Sequence, residues 1–260
     1  MKGFKIGACD WSLGKKADPG VFDVARQIGL DGLQISLGSK ANYVLLQDKD
    51  VQKTYQELSR RQGIEIASLA IGELNNVPYK SDPRAEQWVW DAVDVCRAMG
   101  IKVILLAFFS AGDLRDDPAG IREVIRRLTK VAPKAEKAGV SLGIESWLSA
   151  WEVADMIQKV GSPAIKMYYD VGNTHTQGYD IYEEIRFLAR QRLCEFHAKD
   201  YDNFLLGRGK VNFLAVRAAM DDIGYRGWIH LEAAQPLGLI PSYQENLRYL
   251  RGIFPPTVEK

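Results

Sequence analysis

The most constraining feature of this chain is an alternation. Short β-rich runs alternate with longer amphipathic runs eight times, and Gly, Pro, Asp or Asn marks the joins. Strands are expected at 4–9, 32–37, 64–71, 101–107, 140–145, 165–170, 193–199 and 228–232. Helices are expected at 19–28, 49–62, 83–99, 118–138, 150–160, 181–189, 213–223 and 243–252. Asp18 before Pro19 and Asp82 before Pro83 read as helix starts, and Gly63, Gly100 and Gly139 read as stops. Such alternation implies a parallel sheet, and eight units in 260 residues match an α/β fold, a closed (β/α)8 TIM barrel. One domain is expected over 1–255, with 256–260 as a frayed tail. An open doubly wound sheet is the alternative. Against it, no Gly-x-Gly-x-x-Gly follows the first strand, which ends Ala8-Cys9-Asp10-Trp11.

Composition narrows the class. Thirty-four basic residues balance 33 acidic ones, and 47% of the chain is apolar. A core is affordable and disorder is not expected beyond the ends. The near-zero net charge gives no overall footprint for nucleic acid or an acidic membrane. No uninterrupted apolar run reaches the length of a membrane-spanning helix. Cys9, Cys96 and Cys194 form no Cys-x-x-Cys pair and read as small buried hydrophobes in a reducing compartment. Met1 runs almost directly into a strand, so a cytoplasmic protein without a signal peptide is expected.

In such barrels chemistry sits at the C-terminal strand ends. The fifth strand ends in Glu145, the sixth in Asp170, the seventh in His197-Ala198-Lys199-Asp200 and the eighth in Glu232. The four candidate ligands are separated by 25, 27 and 35 residues, each about one strand–helix unit. They are therefore expected on adjacent staves of one rim. A buried carboxylate without a partner costs several kcal/mol, on the order of its desolvation, and three converging ones repel. A divalent cation removes both penalties. Glu145, Asp170, His197 and Glu232 thus read as ligands of one divalent cation. An oxygen-rich set suits Mn2+, Mg2+ or Co2+, with Zn2+ as a further option. The competing reading makes each acid a helix cap.

The motifs GIES, YYDVGN, FHAKD with LGRGKVNF, and HLE resemble the sugar isomerase/epimerase superfamily with the xylose-isomerase-like barrel. The likeness covers essentially the whole chain. It implies the same four ligands, with Glu145 and Glu232 doubling as catalytic acid and base. It also implies a small sugar or sugar derivative as partner and a homo-oligomer. The chain departs from sugar 3-epimerases at Ser146, Asn173 and Asn203, and its Lys199-Asp200 pair looks more like the dehydratase branch.

Other candidates have two readings each. Lys199, two residues past His197, reads as a substrate-oxygen contact, with an ion pair to Asp200 as the alternative. Asn173 and His175 lie in the sixth strand–helix loop and read as substrate contacts or plain loop residues. Trp11 and Phe108-Phe109 read as a wall for a sugar ring or as covers of the barrel end. Glu73 ends the third strand and reads as a substrate contact. Arg208, in Gly207-Arg208-Gly209-Lys210, reads as a contact to a phosphate or sugar acid, although the segment is no Walker loop. His230 reads as a hydrogen-bonded core histidine, and Glu152 as a first-turn carboxylate.

The expected activity is metal-dependent isomerisation or epimerisation of a sugar, keto-sugar or sugar phosphate through an enediolate. The alternative is a lyase, dehydrating a keto-sugar, keto-inositol or 3-keto-glycoside on the same site. An endonuclease IV-like activity, which needs a histidine-rich trinuclear zinc site, is disfavoured by three histidines in all. A non-enzymatic sugar-binding protein is the remaining alternative.

Overall fold

Each β-rich run pairs with the runs before and after it, and the first pairs with the last. The computed structural model describes residues 3–40 and 43–256. The strands are β1 Lys5–Cys9, β2 Gly32–Ser36, β3 Glu65–Ile71, β4 Val103–Phe108, β5 Ser141–Ser146, β6 Ile165–Asp170, β7 Leu193–Ala198 and β8 Trp228–Leu231. They form a closed parallel barrel in chain order, with β8 hydrogen-bonded to β1. Around it lie α1 Val21–Ile28, α2 Lys49–Gln62, α3 Pro83–Met99, α4 Pro118–Ala138, α5 Ala150–Val160, α6 Ile181–Arg192, α7 Phe213–Asp222 and α8 Leu239–Ile253. This is the (β/α)8 TIM barrel expected, and the open sheet is excluded. The tail expected at 256–260 falls, beyond Pro256, outside the described residues.

Period-2 strands divide the apolar residues between two places. Ile104, Leu106 and Phe108 of β4 join the large core between barrel and helices, while Leu105 and Ala107 join a small cluster with Ala70, Tyr168 and Cys194. Helix ends follow the local chemistry. Asp82 accepts from the Arg84 amide, Pro83 opens α3, and Gly100 closes it at φ 75°, a left-handed conformation costly for other residues. At α5 the Ser149 side chain and Glu152 form a reciprocal capping box, so Glu152 does more than complement the helix dipole.

Most strand bounds move by one or two residues, and four larger differences stand out. Asp18 does not cap α1. It folds a turn onto the Gly20 amide, and the helix starts at Val21 after Gly20. α8 starts four residues early because Pro241 falls in its first turn, where a missing N–H costs nothing. Ala189 breaks α6 with φ 55° before it reaches Arg192. A two-stranded hairpin, Ser39–Lys40 with Tyr43–Val44, interrupts the second unit. No helix of the described residues is long and apolar enough to cross a membrane.

Two register shifts bear on the site. One falls between Leu33 and Gln34 of β2, the other between Met167 and Tyr169 of β6. Such irregularities re-aim the side chains that follow. Here those are Gln34 and Asp170.

Candidate metal centre

The ends of β5, β6, β7 and β8 bring one donor atom each from Glu145, Asp170, His197 and Glu232 within 4.8 Å of one another. His197 is the centre of the group. Its Nδ1 lies 3.0 Å from Glu145 Oε1, 3.5 Å from Glu232 Oε2 and 3.7 Å from Asp170 Oδ2. Its Nε2 lies 2.8 Å from Gln34 Oε1, and the Gln34 amide donates in turn to Ser68 Oγ at 3.0 Å. A hydrogen bond from Nε2–H to Gln34 leaves the Nδ1 lone pair facing three carboxylates, the arrangement that orients a ligating imidazole. Burial pushes the neighbouring Cys9 thiol up to about 12, so it sits 3.3 Å from Nε2 as a neutral group. Cys96 and Cys194 are also buried and free.

Asp170 does two jobs with two oxygens. Oδ1 accepts from the amides of Gly172 and Asn173 and caps the six-residue helix Val171–Thr176. Oδ2 is buried with no hydrogen-bond partner. The competing cap reading thus holds for one oxygen only. An orphaned buried oxygen aimed into a group of anionic donors and one imidazole fits a divalent cation. Burial raises the Glu145 carboxyl above its ordinary range, against the pull of His197. For Asp170 burial also pushes upward, but Lys199 and His197 outweigh it and hold the group low.

Lys199 points at this cluster and away from Asp200. Its Nζ is 3.1 Å from Glu232 Oε2 and 3.8 Å from Asp170 Oδ2. Burial works against its charge, but Asp170 and Glu232 outweigh that and raise its pKa. The ion pair weighed with Asp200 is therefore corrected to one with Glu232 and Asp170. The other oxygen of Glu232 accepts from the Trp11 indole N–H at 2.9 Å. The cluster opens into a cavity of about 400 Å³ whose lining includes Trp11, Lys16, Phe109, Trp147, Asn173 and Lys199.

Not every expected contact is brought here. Glu73 stands behind Lys16, with Oε1 3.0 Å from its Nζ. His175 is half-buried on the short helix and does not line the cavity. Arg208 is corrected more firmly: its loop turns outward, and the side chain is exposed and outside the cavity. Phe108 faces the helices while Phe109 lines the cavity. His230 bonds Glu195 at 3.1 Å in the core, as expected. Gln34, Trp147, Lys16 and Tyr201 were not anticipated. Gln34 carried a readable signal, an amide between the apolar Leu33 and Ile35 of a buried strand.

A family model described as xylose isomerase-like TIM barrel matches residues 22–253. A 2-epi-5-epi-valiolone 7-phosphate 2-epimerase of an Actinoplanes species is 23% identical over 177 residues. That match spans 68% of this chain and just under two thirds, 65%, of the relative's own length. Among solved structures, a D-psicose 3-epimerase with D-tagatose from Clostridium cellulolyticum H10 is 17% identical, with TM-score 0.79 over 96% of this chain and 99% of that one. A 3-keto-D-glucoside 4-epimerase from E. coli is 14% identical, with TM-score 0.78 and the same coverage. At these identities the structural likeness speaks to fold alone.

Proposed function

The chain belongs to the xylose isomerase-like TIM barrel family, and from that premise we propose that it is a divalent-metal-dependent epimerase or isomerase of a keto-sugar or its derivative. The observation that carries the reading is Asp170 Oδ2, buried without a hydrogen bond beside glutamates at the ends of β5 and β8. Glu145, Asp170, His197 and Glu232 would hold the cation, with Mn2+ as first choice. When bound, it supplies a Lewis acid that stabilises the charge developing on the substrate oxygens.

The rest falls to the chain's own groups. One of Glu145 and Glu232 removes the proton on the carbon beside the carbonyl, and the other returns a proton to the opposite face of the enediolate. Trp11 and Lys199 each fix one oxygen of Glu232, so its orientation is set before substrate arrives. Gln34 sets the His197 ring. Asn173, on the helix that Asp170 caps, offers an amide to a sugar hydroxyl. The sequence relative from Actinoplanes is named as an epimerase, which supports the reaction class and leaves the substrate open.

Proton NMR in D2O with Mn2+ and a keto-sugar panel tests this. Deuterium is expected to enter the carbon beside the carbonyl without loss of water. An unsaturated or dicarbonyl product would instead support the lyase reading. That reading has one observation in its favour, the Lys199 ammonium beside Glu232 as an acid for an expelled hydroxyl. Removing metal with EDTA is expected to abolish turnover and to lower the melting temperature. Loading at about a hundred times Kd is worth about 2.7 kcal/mol, roughly 5–10 °C for a chain of this size. A melting curve indifferent to EDTA and Mn2+ would sink the metal reading.

A further inference from the structure

In a barrel of eight staves β3 stands opposite β7, so the turn after β3 faces the His197 rim across the mouth. That turn, Gly72–Asn75, is a single turn of 3-10 helix. Its last residue, Asn75, lines the same cavity as Glu145, Glu232 and Lys199.

A carboxamide has one accepting and one donating end, and its neighbours decide which end points where. Here the neighbour is a backbone amide: the Phe109 N–H donates to Asn75 Oδ1 at 3.0 Å. A backbone N–H can only donate, so Oδ1 is the end it holds and Nδ2 is the end left over. Among the described residues Nδ2 has no hydrogen-bond partner, and it is not sealed from solvent. The free donor therefore faces the cavity that Asn75 lines.

The turn is held from both sides. The Glu73 carbonyl accepts from the amides of Asn76 at 3.0 Å and Val77 at 2.9 Å. The loop after β4 packs so closely that a Cβ on Gly112 would stand 2.8 Å from the Leu74 carbonyl oxygen. A donor fixed in this way is in place before a ligand arrives, and little ordering is left for binding to offset. Nearby polar groups on this wall are already committed. The Ser36 hydroxyl donates to Asp10 at 2.7 Å, and the Lys16 ammonium lies 3.0 Å from Glu73. Asn75 Nδ2 is the uncommitted neutral side-chain donor here, among the described residues.

The two walls differ in kind. The β5–β8 wall carries the candidate ligands and both acid/base glutamates, and Asn75 stands where the remote end of a longer substrate comes to rest. We infer that Asn75 determines specificity: its Nδ2 donates to a substrate oxygen remote from the reacting carbon, favouring longer ketoses over short ones. A site built to hydrogen-bond such an oxygen rejects the analogue that lacks it. The inference rests on the epimerase reading and names the part of the substrate that this residue reads.

The test uses 15N-labelled, Mg2+-loaded protein with dihydroxyacetone, D-xylulose and D-fructose. D-Xylulose or D-fructose is expected to shift the Asn75 side-chain amide resonance, and dihydroxyacetone is expected to leave it in place. No shift with either longer ketose overturns the inference. Deuterium exchange with Mn2+ then compares kcat/KM for the longer ketose with that for dihydroxyacetone. Asn75→Asp keeps an acceptor for the Phe109 amide but has no amide proton to give. It is expected to lower that ratio about tenfold, chiefly through KM. Asn75→Ala loses the Phe109 bond as well. A wild-type ratio in the Asp variant overturns the inference, and a loss confined to the Ala variant makes Asn75 a mere holder of the loop. If the amide shifts but no ketose exchanges deuterium, the epimerase reading falls while the contact stands.

Discussion

His230 and His197 are Cα partners on adjacent strands, yet their rings keep different company. His230 meets one carboxylate, Glu195, at 3.1 Å, with both groups buried and the imidazole stacked on Trp228 at 5.6 Å. His197, toward the C-terminal rim, meets three carboxylates through one nitrogen. His230 spends Nε2 on that single carboxylate, and its Nδ1 is buried without a hydrogen-bond partner. His197 gathers three carboxylates around one nitrogen, a donor set that a divalent cation would fit. Identical residue types therefore divide into scaffold and candidate site by the number of carboxylates each imidazole meets. A motif search for His near Glu would not separate them.

The largest expected effect tests this division by rate. Glu145→Gln and Glu232→Gln are each expected to slow turnover by about 10²–10⁴, the worth of one positioned acid or base. Elemental analysis is expected to show less bound metal in Glu145→Gln, while Glu195→Gln keeps a full complement. Full metal and full rate in Glu232→Gln would erase the distinction. The next effect concerns stability. Glu195→Ala strands the buried imidazole and is expected to cost about 3–5 kcal/mol in urea denaturation. Replacing both partners together, His230→Leu with Glu195→Met, is expected to restore most of it. If the double variant is as unstable as the single one, the pair is more than self-balancing.

A third buried carboxylate provides the smaller contrast. Asp10 accepts from the Ser36 amide, the Ser36 hydroxyl and the Ala17 amide, all neutral donors, with the Lys16 charge as a smaller help. Burial outweighs them and raises its pKa from 3.8 to about 6. A carboxyl raised on folding stabilises the fold below its unfolded pKa, and that stability fades as pH climbs through the folded one. Between about pH 4 and 6 the protein is expected to lose up to about 3 kcal/mol relative to Asp10→Asn. Parallel pH profiles for the two proteins would place the burden elsewhere.

Much of this was legible from sequence because the barrel repeats one rule. Strand ends point to the rim, so Glu145, Asp170, His197 and Glu232 could be listed without coordinates. The rule is blind to mid-strand polar residues, which is why Gln34 escaped it. It is equally blind to long-range pairing. Lys199 looked to its neighbour Asp200, but barrel closure gave it Glu232, 33 residues away. Asp200 instead accepts from the amides of Tyr201, Lys210 and Val211 in its own loop. Helix starts failed where a turn competed for the cap, as at Asp18.

Asp170 ties these parts together. Oδ1 caps 171–176 and Oδ2 faces the other donors, so a cation bound at Oδ2 would be coupled to the fold of that helix. An ion held by Oδ2 would tension the same carboxylate that pegs Asn173, and its loss would slacken that peg.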